Sequence, residues 1–368
     1  MILVENLLKN LKKNNVNFFT GVPDSILKNL SSTLEKFPKK KHIIAPNEGA
    51  ATSIGIGHYL STKKIPCIYL QNSGLSNAIN PLISIASKEV YSIPLLLMIG
   101  WRGSPKIIDE PQHKAKGKIT QKLLRLLKIE FCILRKPEDL SKLTKLIKKA
   151  YKNKKIICCL IEKNTLKIGK FNKKKLKEKN KLQRKHFIVE FLRQAPKKSK
   201  IISTTGFTSR ELMQLRNQKK LSNGKDFYMV GGMGHSSMVA MGYANESKNK
   251  VFCLDGDGSI LMHLGSLRTV GYNGNKNFKH IILNNNSHES VGGQITTAEG
   301  IDFQKLSKSL GYKNYYKISN HNQLSQKIKY FIKSTGPSFL EVKIKNGSMK
   351  NLIRPKNLLK IKEQFMKK

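Results

Sequence analysis

Residues 251–294 read VFCLDGDGSILMHLGSLRTVGYNGNKNFKHIILNNNSHESVGGQ, and their reading decides the fold. The apolar run 251–254 reads as a buried strand. Gly256-Asp257-Gly258-Ser259 follows as a tight turn, and its glycines let the backbone pass close to a ligand. Residues 260–270 carry a helical apolar pattern, with Ser259 placed as the cap. A second apolar run, 280–283, reads as the next strand and ends in Asn284-Asn285-Asn286. A carboxylate after one strand and an amide after the next offer the oxygen ligands that Mg²⁺ takes. A helix starting at Ser259 would also favour a phosphate at its N-terminus. Gly and Asp are equally the ordinary residues of a turn, so GDGS alone carries little.

The first half alternates short apolar runs at 17–20, 42–45, 66–70, 94–100, 130–134 and 156–162 with helical patterns. The helices are expected to begin near residues 3, 24, 48, 75, 120 and 137. The second half repeats the alternation, with strands at 201–204, 227–230 and 338–342 beside the two above, and two helices within 302–344. This pattern predicts an α/β chain of mostly parallel sheets flanked by helices. Ligand sites of such sheets lie at the carboxyl ends of the strands. Residues 166–186 are Lys-dense and lack a strand pattern, which predicts a linker between domains at 1–165 and 187–368. The basic tail from Lys345 is expected to fray.

Polar loops follow the expected strands. Asp24, in GVPDS, either caps the next helix or serves as a catalytic acid or base. Glu48 enters a helix of small residues, where a carboxylate complements the helix dipole or is buried and tuned for chemistry. QNSGLSN places Asn72 and Ser73 at the third strand end. Gly100-Trp101-Arg102-Gly103 ends the fourth and leads through a loop to His113. Trp101 suits packing. Arg102 suits either an anionic substrate group or an ion pair with Asp109 or Glu110. His113 suits acid–base chemistry or anion contact. Gly231-Gly232-Met233-Gly234 lacks the spacing of a dinucleotide loop.

GDG and paired asparagines, with Asp257 and Asn285 28 residues apart, resemble the thiamine diphosphate signature. Together with NSGLSNAINP and IGWRGSPKIIDEPQH, they resemble the phosphonopyruvate decarboxylases, thiamine diphosphate-dependent 2-oxo acid decarboxylases, over nearly the whole chain. The resemblance implies two thiamine diphosphate-binding domains, pyrimidine-binding then diphosphate-binding, with no middle domain. It implies that Asp257, Asn285 and the Ser287 carbonyl hold Mg²⁺ against the diphosphate, beside Gly256, Gly258 and Ser259. Glu48 would contact the aminopyrimidine N1′, and the Gly231 carbonyl would accept from the 4′-amino group. Met233 would prop the coenzyme, although Met is also ordinary core filler. Asn72 and Ser73 would line the pocket, and Asp24 and His113 would manage protons. Arg102 and His288 are candidate substrate contacts. The implied substrate is a small 2-oxo acid with an anionic group on C3: 3-phosphonopyruvate, releasing CO₂ and phosphonoacetaldehyde, or sulfopyruvate as the close alternative. A homodimer or larger homo-oligomer with shared active sites is implied as well.

The formal charge of +46 raises a rival class, a basic nucleic-acid-binding α/β protein. Lys dominates over Arg and is scattered rather than clustered, which fits solvated faces better than phosphate or base recognition. No specific nucleic-acid partner is therefore expected. The five cysteines lie in apolar runs without ligand spacing and read as buried free thiols of a reducing, cytoplasmic protein. No run is long enough to span a membrane and no signal-peptide pattern opens the chain.

Overall fold

The computed structural model describes residues 1–105, 107, 109, 111–169, 182–219 and 226–367. The chain forms two compact units: Met1–Lys174 with Val291–Gln294, and Lys175–Ser290 with Ile295–Lys368.

Six parallel strands make the sheet of the first unit: β1 (Phe19–Gly21), β2 (His42–Ile44), β3 (Cys67–Gln71), β4 (Leu96–Gly100), β5 (Glu130–Leu134) and β6 (Ile157–Ile161). Their order across the sheet is β2-β1-β3-β4-β6-β5. The second unit has six more: β7 (Lys200–Ser203), β8 (Asp226–Tyr228), β9 (Val251–Gly256), β10 (Phe278–Asn284), β11 (Asn314–Ile318) and β12 (Ser338–Lys343). Their order is β8-β7-β9-β10-β12-β11, the same permutation. Parallel neighbours need crossovers, and the intervening helices supply them while covering both faces. Alternate residues of the central strands feed opposite cores. Tyr69 and Met98 pack on one face of the first sheet, Leu70, Leu97 and Ile99 on the other. Every strand end that the sequence predicts falls within two residues of its place.

Four expectations need correction. Strand β11, NYYKI, was not anticipated. It lies at the sheet edge, where partial exposure removes the apolar run that marks a central strand. The helix expected near 120 begins at Pro111, where a proline fits the first turn, so His113 is helical. Ser259 caps nothing: the helix starts at Asp257 after Gly256, breaks at His263 and resumes as Leu264–Asn273. The tail is not frayed throughout: Leu358–Met366 is helical, with Phe365 buried against Phe227 and Tyr243. Lys200 Nζ donates to the carbonyls of Phe365 and Lys367, at the helix end where a cation is favoured.

Leu166–Lys167 pairs with Ile2–Leu3, so the hydrogen bonding of the first unit runs past residue 165. Leu182 and Arg184 are already buried in the second unit. The middle of the expected linker, 170–181, lies outside the described residues. Among the described lysines only Lys200 and Lys279 are buried, in keeping with a charge spread over solvated faces.

Lys279 yields a stability prediction. Its side chain is 0 % exposed, and Nζ donates to Ser334 Oγ (2.8 Å), Ser338 Oγ (3.1 Å) and the Ser334 carbonyl. Burial, helped by Lys250, pulls its pKa down from 10.5 to about 7. Unfolded chains therefore bind the proton more tightly, and the stability that Lys279 contributes above pH 10.5 is lost as pH falls towards 7. Lys279→Met should melt higher than the parent near pH 7, with the gap narrowing by pH 10. A gap that does not change with pH, followed by circular dichroism, would contradict this.

Candidate active site

In the first unit the candidate side chains Asp24, Glu48, Asn72, Ser73 and Arg102 follow the carboxyl ends of β1, β2, β3 and β4. Asp24 is 0 % exposed. Its carboxylate accepts from the Ile26 and Leu27 N–H groups (2.8 and 3.1 Å) and from Gln71 Nε2 (2.5 Å). Burial pushes its pKa up, against the pull of those hydrogen bonds and of Arg102. The carboxylate occupies the space over Gly100, where an added Cβ would come within 2.2 Å of Oδ2. Asp24 thus orders its own turn but does not cap the next helix, which starts at Lys28 after Leu27 with no side-chain cap, so the capping alternative is not what the structure shows.

Glu48 is the first residue of the helix Glu48–Thr62, capped by Asn47 Oδ1, which accepts from Ala50 N at 2.8 Å. Asn77 Nδ2 donates to Glu48 Oε2 at 2.9 Å. Gly74 leaves room for the carboxylate, since a Cβ there would lie 1.9 Å from Oε1. Ser73 Oγ donates to Gln71 Oε1 (2.8 Å), extending the Asp24–Gln71 chain. Asn72 stitches the domain: Nδ2 donates to the Arg102 carbonyl and Thr120 Oγ1 (both 2.9 Å), and Oδ1 accepts from Arg102 N (3.1 Å).

The Arg102 guanidinium grips Asp109 through Nε (2.7 Å) and Nη2 (2.5 Å) and donates from Nη1 to Ser25 Oγ (3.1 Å). The partner is Asp109; Glu110 lies outside the described residues. His113 is partly buried in the first turn of its helix, with its carbonyl against Gly103. Trp101 is buried, and its Nε1 donates to the Gly117 carbonyl at 3.0 Å, which is the packing use expected of it.

In the second unit, β9 and β10 pair so that Gly256 sits opposite Leu283, and the two loops that follow meet. Asp257 is 2 % exposed, and its Oδ2 accepts from Thr296 Oγ1 at 2.5 Å. Burial raises its pKa to about 6, against backbone N–H donation from Asn285 and Gly258 among others. The backbone of Asn285 thus reaches the Asp257 carboxylate, while the Asn285 side-chain amide bonds to Glu289, Asn346 and the Ser287 N–H. Asn285 Oδ1 accepts from Ser287 N (3.1 Å), which sets the turn carrying the Ser287 carbonyl. Ser259 Oγ lies 3.0 Å from Thr204 Oγ1 and accepts from Gly234 N at 3.1 Å, tying three strand ends together. Gly234 has φ +90°, a conformation that suits glycine. The His288 ring covers Gly258, where a Cβ would meet Cε1 at 2.7 Å. Burial lowers the His288 pKa to about 4, leaving it neutral at pH 7. Met233 is partly buried beside the exposed Gly232.

Sequence reasoning passed over several partners. Behind the turn, Asp255 accepts from Ser236 Oγ (2.7 Å) and lies 3.5 Å from His280 Nε2, while His280 Nδ1 meets Tyr312 OH at 2.8 Å. Cys253 completes this buried group, with ligand-type atoms within 4.8 Å of one another. Gln71, Asn77, Thr296 and Glu289 likewise drew no role, because each acts through a neighbour that only folding supplies.

The donors at the turn, a carboxylate, an amide and a nearby backbone carbonyl, all present oxygen, the donor set of Mg²⁺. Added Cβ atoms at Gly231 and Gly256 would meet nothing within 4 Å, so space lies open beside the turn. The residues present fit a metal-bound diphosphate.

Two units of one topology, each with buried acidic groups at strand ends, have the layout of a thiamine pyrophosphate enzyme. Residues 1–124 match the N-terminal TPP binding domain of these enzymes and residues 204–342 the C-terminal TPP binding domain. The chain is 30 % identical to phosphonopyruvate decarboxylase of Streptomyces viridochromogenes, over 97 % of this chain and 92 % of the relative. It is 26 % identical to sulfopyruvate decarboxylase of Methanosarcina acetivorans, over 94 % and 92 %. The alpha and beta subunits of sulfopyruvate decarboxylase from Methanocaldococcus jannaschii are each 36 % identical, over 37 % and 34 % of this chain and 78 % and 64 % of their own lengths. The chain belongs to the thiamine diphosphate-dependent decarboxylases of the phosphonopyruvate and sulfopyruvate type. No helix among the described residues is long and apolar enough to cross a membrane.

Proposed function

We propose that the protein decarboxylates 3-phosphonopyruvate to phosphonoacetaldehyde and CO₂ with thiamine diphosphate and Mg²⁺, a step of phosphonate biosynthesis. The observation that carries the reading is the buried Asp257 carboxylate at the end of β9, with Asn285 directly after the paired strand β10, joined to near full-length similarity to a phosphonopyruvate decarboxylase. Asp257, the Asn285 amide oxygen and the Ser287 carbonyl would hold Mg²⁺. Bound thiamine diphosphate supplies the electron sink that an unassisted 2-oxo acid lacks.

The chain's own groups would do the rest. Glu48, held by Asn77, would keep a proton at the coenzyme's N1′. Asp24, whose pKa is raised by burial, would deliver and recover a proton at the product, with His113 as its partner. His288, neutral, would present a hydrogen-bonding ring without adding charge. Gly231 would offer its carbonyl, and Met233 would support the coenzyme. Arg102 is committed to Asp109, so a phosphonate would have to compete with that carboxylate for the guanidinium. We further propose a homo-oligomer that shares its sites between subunits.

Sulfopyruvate is the second reading, favoured by the relative from Methanosarcina acetivorans. Coupled aldehyde assays of phosphonopyruvate, sulfopyruvate and pyruvate, with thiamine diphosphate and Mg²⁺, separate the two. The expected result is the highest kcat/KM for phosphonopyruvate. A higher value for sulfopyruvate would reassign the substrate, and activity independent of Mg²⁺ would remove the metal.

A further inference from the structure

An asparagine can serve a hard cation only through its oxygen; turned by half a revolution, the same side chain presents an NH₂ group that repels it. What sets the amide of Asn285 is on view in the second unit. Nδ2 donates to Glu289 Oε2 at 3.2 Å and to Asn346 Oδ1 at 3.0 Å, so its hydrogens are committed to two acceptors. Oδ1 accepts from Ser287 N and keeps a further lone pair. Glu289 is held in turn. Arg184 Nη2 donates to its Oε2 at 2.7 Å, and the Gly347 N–H donates to Oε1. Arg184 Nη1 also reaches Glu211 Oε1 at 3.1 Å, and that oxygen accepts from Met349 N at 3.0 Å. The Arg184 and Glu211 side chains are 5 % and 1 % exposed.

We propose that Arg184 and Glu289 are positioning residues for the metal site, and that they set its affinity by orienting the Asn285 amide without touching metal or coenzyme. The inference rests on the reading of Asn285 as a metal ligand. A surface ion pair would contribute little, but here Arg184 is buried and Glu289 is mostly shielded, at 5 % and 15 % exposed, and the geometry matches the planar fork of arginine to two carboxylates. A bare structural role would explain the burial equally well. It would not explain why the only side-chain acceptors facing the Asn285 NH₂ among the contacts above are Glu289 and Asn346. Supporting residues of this kind tune metal affinity about 10- to 100-fold.

The test is Mn²⁺ binding, followed by electron paramagnetic resonance in the presence of thiamine diphosphate, on the full-length protein and on Glu289→Gln, Arg184→Lys and Asp257→Ala. Lysine keeps the charge of Arg184 but cannot bridge two carboxylates as a fork. Glu289→Gln should weaken Mn²⁺ binding about tenfold, and Arg184→Lys should do so in the same direction. In both, the Mg²⁺ concentration for half-maximal activity should rise, while kcat at saturating Mg²⁺ stays within about twofold of the parent. Asp257→Ala should show no bound Mn²⁺. If Asp257→Ala loses the ion but Glu289→Gln and Arg184→Lys bind it within about twofold of the parent, the positioning role is wrong and the metal assignment stands. If Asp257→Ala binds as the parent does, the metal assignment fails and the inference falls with it. Should Glu289→Gln fail to fold, Arg184→Lys decides by the same criteria.

Discussion

Asp257→Asn should give a protein that is more stable without metal and nearly inactive with it. The wild-type carboxylate is buried, and burial raises its pKa from 3.8 to about 6. The folded state then holds that proton more tightly than the unfolded chain does. The stability this contributes is present below about pH 4 and is lost as pH rises through 6. At pH 7.5 the buried charge costs up to about 3 kcal/mol, at about 1.4 kcal/mol for each pKa unit. An asparagine removes the charge and can still accept from Thr296. The apoprotein should therefore melt several degrees higher at pH 7.5, with the difference disappearing near pH 4. Turnover should fall at least about 100-fold, the upper end of what weaker, supporting positions cost at metal sites. Paired melting curves and assays at both pH values check this. A variant less stable than the parent at pH 7.5, or one that keeps its turnover, would overturn the account.

The second large effect concerns Glu48. Glu48→Gln keeps an oxygen that can accept from Asn77, so the fold should hold and melting should move little. Without a proton to hold and exchange, turnover should fall about 10²- to 10⁴-fold, the range typical of lost acid–base catalysis. Gly74→Ala should do comparable damage while leaving the carboxylate in place chemically. Its backbone, at φ −88°, is one that alanine adopts freely, but the new Cβ would fall 1.9 Å from Glu48 Oε1. The carboxylate must turn away or the loop must move. Circular dichroism with steady-state kinetics tests both. An active Glu48→Gln variant would remove Glu48 from the chemistry, and an active Gly74→Ala variant would show that its position is not critical.

Much of this was legible before folding. Strands buried on both faces, such as IIL at 281–283 and CIYL at 67–70, must be continuous apolar runs, so their places are written in the chain. Loops that carry ligand groups stand out because Gly, Asp and Asn interrupt those runs at their carboxyl ends. Edge strand β11 was illegible because its Asn and Lys side chains are solvated. The true helix starts at Pro111 and Asp257 were obscured because a helix boundary depends on which residue can take an extended cap, as Gly256 does. The ordered C-terminal helix was illegible because Phe365 and Lys200 lie far apart in sequence and matter only once together.

By itself the sequence determined the class: two α/β units, the family resemblance, and loops that place Asp257 and Asn285 after neighbouring strands. Those signals are local, being periodicity, turn chemistry and fixed spacing along one polypeptide. Only the tertiary structure decided which atoms serve them. It put Asp24 over Gly100, Glu48 over Gly74, Arg102 on Asp109, and Arg184 behind Glu289 and the Asn285 amide. Burial and hydrogen-bond geometry bring together residues more than a hundred positions apart, and no pattern read along the chain carries that distance.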